Sequence, residues 1–207
     1  LIAFLNSALR GPRNLTELRA ILEYGTFDDS SLDAYAHQVE SRFWLFDERQ
    51  PFLQEPGLAQ EKDADAVFQL YRETAAPKGN TLFDHTLPAD GPGVPRDEAA
   101  CYLLADQFYG LMDGSGYEPS LLSFGVALMA AGSSLFETLT LNLLPYNEQS
   151  PIPCPRLAAD RPVWERPPSL PGAVPAGWLD YVTRPYRRLL LLQEQGRVVR
   201  VVRKSAP

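Results

Sequence analysis

The chain has 207 residues, 45% hydrophobic and 11% aromatic, enough apolar surface for a sizeable core and too much for a wholly disordered protein. A net charge of −7 excludes a globally basic nucleic-acid-binding surface, and no apolar run approaches the ~18 residues that cross a bilayer. The expected class is a soluble, cytoplasmic globular protein with no membrane partner.

The first residues form a buried helix, with Leu1, Leu5 and Leu9 on one face, ended by Gly11-Pro12. Asn14 is the expected N-cap of a second helix to about Tyr24, with Glu17 three residues on and Gly25 closing it. Ser30 or Ser31 is expected to cap a third, in which Leu32, Tyr35, Ala36, Val39 and Phe43 repeat at three and four. Pro51-Phe52-Leu53-Gln54 reads as a short strand or an ordered loop packed on the helices, and 64–71 as a modest helix. A long Pro/Gly-rich loop fills 75–95, and Glu98–Tyr109 is a helix behind Pro95 and Asp97. Glycines 110, 114 and 116 break periodicity; 121–131 is apolar and fits strand or helix. Ser133, Ser134 and Glu137 form a capping box for a helix reaching Leu144. Residues 146–176 are a proline-rich excursion holding Trp164. The last stretch, 177–207, is a basic end with a short helical turn from Trp178 and two strands, 188–192 and 198–202, around Glu194-Gln195-Gly196. The fold class is therefore α+β: a single helix-rich domain with short β-strands and long Pro/Gly-rich loops. Because Leu1 opens inside an apolar run with no methionine, the chain is expected to be part of something longer.

Charge is uneven. Residues 177–207 carry seven cations against Asp180 and Glu194, a net +5, and the rest carries −12. Arg184, Arg187 and Arg188 fit one helical face that meets phosphates or an acidic neighbour, or simply a solvated face. Trp178 and Tyr181 are expected in the core.

Catalytic signatures are sparse. There is no nucleophile elbow, phosphate loop or dinucleotide fingerprint, and no metal or cofactor is expected. Cys101 and Cys154 have no partner at metal-ligand spacing and read as small buried residues. Asp63 with Asp65, or Asp28 with Asp29, are the acid pairs that a metal-dependent nuclease or hydrolase would use, although acids at helix starts have a simpler account in the helix dipole. His37 reads as a helix-surface residue. His85 shares its loop with Lys78, Asn80 and Phe83: a cation, polar groups and an aromatic able to stack on a base, on a pliable backbone. This set fits a nucleic-acid contact, or a loop anchored in the core by Phe83.

Several segments, in order, resemble the CasA family, the large subunit of the Cascade complex of type I-E CRISPR systems. They are Ala8-Leu-Arg-Gly11-Pro12, Arg42-Phe43-x-Leu45-Phe46-Asp47 with Pro51-Phe52-Leu53-Gln54, and Asn80-Thr-Leu-Phe83-Asp84-His85. Ser134-Leu-Phe136-Glu137-Thr138-Leu-x-Leu141-Asn142 and Gly177-Trp178-Leu179-Asp180-Tyr181-Val-Thr183 complete the set. The resemblance implies the N-terminal domain of a non-catalytic subunit without cofactors. Its implied partners are other Cascade proteins, a CRISPR guide RNA, target double-stranded DNA and a helicase-nuclease. Its implied role is to help find the protospacer-adjacent motif and recruit that effector. By the same resemblance Phe83, Asp84 and their neighbours contact motif DNA or the guide's end, and a glycine loop falls at Gly114 and Gly116. The family's loop there is longer, and its later lysine and C-terminal helical bundle have no match here. A purely structural helical module is the remaining alternative.

Overall fold

The computed structural model describes residues 1–61, 63–70, 93–110, 120–122, 127–145, 160–166 and 175–204. In chain order these hold the helices α1 (Ile2–Leu9), α2 (Leu15–Tyr24), α3 (Asp29–Val39), α4 (Arg96–Tyr109), α5 (Leu135–Leu141) and α6 (Trp178–Thr183). The strands are β1 (Asp65–Ala66), β2 (Arg188–Glu194) and β3 (Arg197–Lys204). The α+β class holds. The chain divides into two compact units, Leu1–Phe43 with Val126–Arg184, and Trp44–Gly125 with Pro185–Pro207.

The first unit is helical. Asn14 caps α2 by accepting the Glu17 amide at 2.9 Å, and Gly25 closes it in the left-handed region at φ 82°. The third helix starts two or three residues earlier than expected: the N-cap is Asp28 rather than Ser30 or Ser31, and its carboxylate accepts the Ser31 amide and the hydroxyls of Ser30 and Ser31. A carboxylate outcompetes the serine hydroxyls, which become its donors. Regular helix stops at Val39, and 40–43 continue as a 3-10 turn. On α5 the capping box forms as read: Ser134 accepts the Glu137 amide, and Glu137 accepts from Ser133. The helix ends at Leu141 rather than Leu144, because the Asn142 side chain turns back to the Thr138 carbonyl at 2.7 Å.

Two carboxamides tie distant segments onto these helices. Asn6, 2% exposed, bonds the Leu144 backbone in both directions, at 3.1 and 3.2 Å. Asn142 does the same to Ala130, at 2.8 and 3.0 Å. Residues 127–131 are accordingly neither strand nor helix but an exposed segment held by Asn142. Trp164, in a 3-10 turn at Val163–Glu165, packs its ring 5.0 Å from Phe43 and donates Nε1–H to the Tyr35 hydroxyl at 2.8 Å. Tyr35 donates to Glu165, and its ring meets Phe4 edge-on at 4.9 Å. Burial and the Glu165 carboxylate push the Tyr35 phenol far above its ordinary pKa.

The second unit is a small antiparallel sheet in the order β1-β3-β2 with α4 beside β3. The β2–β3 hairpin turns at Gln195-Gly196 as expected. Leu190 pairs with Val202, and both pack on Leu58. Leu191 pairs with Val201 on the opposite face. The expected helix over 64–71 does not form: Asp65 and Ala66 pair with Val201 and Arg200 as β1, and Val67–Leu70 is a 3-10 turn. Eight residues of weak pattern gain more from completing a sheet edge than from an isolated two-turn helix. Pro51–Gln54 is an ordered loop, held by α4 through the Leu53 carbonyl and packed on the sheet as well. Its Gln54 accepts the Leu191 amide at 2.8 Å and donates to the Leu45 carbonyl, while the Glu55 amide reaches the Leu189 carbonyl at 3.0 Å. The outer edge of β2 is thereby closed.

Candidate nucleic-acid interface

All seven residues singled out for nucleic-acid contact, Lys78, Asn80, Phe83, Asp84, His85, Gly114 and Gly116, lie outside the described residues, as does Cys154. What is described is how the two segments that carry them are anchored. Ahead of the first, Ala66 pairs with Arg200; beyond it, Val94 and Val198 exchange both backbone hydrogen bonds, at 2.8 and 2.9 Å. Both anchors are on β3, two residues apart. Arg197 adds its guanidinium to the Gly93 carbonyl at 2.7 Å. Gly93 has φ 68°, and a Cβ there would lie 2.7 Å from the Val198 carbonyl oxygen, so the anchor needs glycine. The segment holding Gly114 and Gly116 leaves the C-terminal end of α4 and is caught beyond it, where the Leu122 amide donates to the Phe108 carbonyl at 3.1 Å.

Between these anchors lies Gln107, fully buried on α4. Its Nε2 donates to the carbonyls of Leu53 and Arg187 at 2.9 and 3.0 Å, and its Oε1 accepts the amides of Tyr186 and Arg187 at 2.8 and 2.9 Å. One side chain therefore fixes α4, the Pro51–Gln54 loop and the entry to β2.

The basic end is not a free phosphate-binding face. Arg187 pairs with Asp106 at 2.8 Å, Arg188 with Glu55 at 2.7 Å, Arg203 with Asp65 at 3.0 Å and Lys204 with Glu61 at 2.9 Å. Arg200 pairs with Glu194, and Arg184 shares buried Asp180 with Arg166. Arg184, Arg187 and Arg188 do not share a helical face: α6 ends at Thr183 and β2 begins at Arg188. The hydrogen bond and charge of Glu55 raise the Arg188 pKa, and Glu61 raises that of Lys204 in the same way.

One acid of each pair is already engaged. Asp65 is engaged by Arg203, Asp28 caps α3, and no group of three His, Cys, Asp or Glu residues suited to a metal occurs among the described residues. His37 is exposed on α3, as read. Cys101, expected buried, is exposed on α4, because Ala99, Leu103, Asp106 and Gln107 form the buried face. Trp178 and Tyr181 are half-buried and meet edge-on at 6.4 Å.

The 177–183 element has a structural account. Asp160, 3% exposed, accepts the amides of Leu179 and Asp180 at 3.0 and 3.2 Å, over Gly177, whose added Cβ would strike that carboxylate at 2.4 Å. Thr183 accepts the Val163 amide at 2.9 Å, and Asp180 takes the two arginines. Sequence reasoning missed the roles of Asn6, Gln107 and Asp160; Gln54, Asn142, Gly177, Asp180 and Thr183 lay within segments already singled out, but without their partners.

A helix-rich α+β scaffold with clasped loops is a class many proteins share. The family model described as CRISPR-associated protein Cse1 matches residues 1–206, and the chain belongs to that family. It is 32% identical over 174 residues to the CRISPR-associated protein CasA/Cse1 of Thermus thermophilus, covering 81% of this chain and 33% of that protein. The solved Thermus thermophilus CasA (Cse1) superposes with a TM-score of 0.72 at 26% identity, over 99% of this chain and 42% of that one. A chain of a structure named a CRISPR RNA-guided surveillance complex, pre-nicking, gives 0.71 at 25% identity, over 99% and 45%. The chain thus spans a third of the curated relative and less than half of the solved ones.

Proposed function

We propose that this chain is the N-terminal domain of a non-catalytic subunit of an RNA-guided CRISPR surveillance complex. The observation that carries the reading is the family match over residues 1–206, together with the likeness to a chain from an RNA-guided surveillance complex. Its partners are the other Cascade proteins and the guide RNA, and it works in the cytoplasm. No helix of the described residues is long and apolar enough to cross a membrane. In this reading the subunit helps the complex recognise the protospacer-adjacent motif on duplex DNA and recruits the helicase-nuclease. The protein reads a short motif and shape while guide pairing reads sequence.

Lys78, Asn80, Phe83, Asp84 and His85 in the segment between β1 and α4, and Gly114 and Gly116 in the segment after α4, are the contacts. The pinning of both flanks of the first segment on β3 supports this, since a contact segment needs a rigid base. The pairing of the basic end, residues 184–204, argues that phosphate contacts come from elsewhere. The test is reconstitution of the full-length protein with a guide-RNA complex. Joining the complex and raising its motif-dependent DNA affinity supports the reading; failure to join, or metal-dependent DNA cleavage by the protein alone, contradicts it.

A further inference from the structure

Among the fifteen described lysines and arginines, Arg10, Arg19, Arg49 and Arg161 have no side-chain hydrogen bond or ion pair with described residues. Two of the four, Arg10 and Arg161, line the same open cleft in the first unit, and both are exposed. Arg10 is held there by backbone geometry: it closes α1 in the left-handed region at φ 54°, with its amide on the Ser7 carbonyl. Gln38, also exposed on the cleft wall, adds an amide donor.

The acids of the cleft are occupied by the fold. Asp160 gives its two oxygens to the Leu179 and Asp180 amides, and Glu165 accepts the Tyr35 hydroxyl. The cleft therefore presents two uncommitted guanidiniums over carboxylates that already have donors. Guanidinium forks suit phosphate oxygens. The volume, about 900 Å³, lies near the top of the range for ligand clefts, about 300–1,000 Å³, and suits a stretch of strand better than a lone ion. A flexible single strand can thread such a concavity, and in a chain of net charge −7 phosphate contact must be local.

We propose that the cleft between α1, α3 and residues 160–165 binds the phosphates of single-stranded nucleic acid through Arg10 and Arg161. The assignment rests on the nucleic-acid-associated reading above, and it adds a site in the helical unit, built from residues other than 78–85 and 114–116.

The test uses the full-length protein and short labelled single-stranded RNA and DNA of mixed sequence, with anisotropy read from low to moderate salt. Arg10→Ala/Arg161→Ala should weaken binding about tenfold at low salt and reduce the slope of log affinity against log salt by about 1.4, about 0.7 per lost contact on a single strand. Arg10→Lys/Arg161→Lys should keep most of the slope. Arg19→Ala/Arg49→Ala, which removes the unpaired arginines outside the cleft, should leave it unchanged. The RNA and DNA arms identify which strand the cleft takes. Equal binding by wild type and the double alanine variant, or an equal loss in the Arg19/Arg49 control, overturns the site. Capture of inorganic phosphate without either strand overturns the strand assignment. Assembly with the guide-RNA complex is scored separately: a wild type that assembles while the alanine variant binds strands normally removes only the cleft, and a wild type that does not assemble removes the functional reading.

Discussion

Gln107 holds four backbone groups with one carboxamide, three of the bonds buried and the one from Tyr186 partly so. Gln107→Ala strands two carbonyls and two amides, at about 1–3 kcal/mol for each buried group left unsatisfied. Water entry and relaxation recover part of this, so a loss of about 3 kcal/mol or more is expected in denaturant unfolding. Asp180→Asn removes the shared anionic partner of buried Arg184 and half-buried Arg166; the expected loss is about 3 kcal/mol, because both guanidiniums stay charged and lose their counter-charge. An effect below 1 kcal/mol in either variant would contradict the clasps. Little of this was legible in sequence. The partners of Gln107 lie 54 to 80 residues away and those of Asn6 lie 138 away, and a carboxamide in a helix pattern has no local signature of what it will reach. Leu5, Val39 and Leu103, by contrast, announced their burial through helical spacing.

Helix starts are decided within four residues, so they were legible: Asn14 with Glu17 and Ser134 with Glu137 form as read. Where two caps competed, the carboxylate of Asp28 won over Ser30 and Ser31. β1 was invisible because pairing with β3, from Asp65 to Val201 and from Ala66 to Arg200, makes it a strand. The capping acids give a pH prediction. Hydrogen bonds from Ser133 lower the pKa of Glu137, those from Ser31 and Ser30 lower that of Asp28, and those from Arg13 lower that of Glu17. A depressed native pKa contributes stability that is complete above the ordinary carboxylate value and is lost as pH falls through the native one. Glu137→Gln should therefore be less stable than wild type at neutral pH, with the gap closing in acid; a gap independent of pH in thermal melts would contradict it. At the loop base, Gly93→Ala forces φ 68° on an alanine and drives its Cβ onto the Val198 carbonyl. It should lower motif-dependent DNA affinity of the assembled complex while the helical unit keeps its melting behaviour.

For the molecule as a whole, composition showed an acidic chain with a basic end, and the structure explains why that end does not mark a nucleic-acid face. Its cations neutralise Asp65, Asp106, Glu55 and Glu61 within one unit. Charge along a sequence does not reveal pairing in space, whereas the family was legible because its segments include the clasps: Gln54, Asn142, Gly177 and Asp180 each hold a loop to an element. The residues proposed to touch DNA lie in the anchored segments outside the described residues, so function at this scale is decided by assembly. The most direct measurement is motif-dependent DNA affinity of a guide-RNA complex reconstituted with the full-length protein, wild type against Phe83→Ala. The account predicts that the wild type joins the complex and confers preference for motif-bearing duplex, and that Phe83→Ala joins equally but loses about tenfold or more of that preference, the scale of one lost base-stacking aromatic, about 1–3 kcal/mol. A wild type that does not join, or a Phe83→Ala complex indistinguishable from it, would contradict the account.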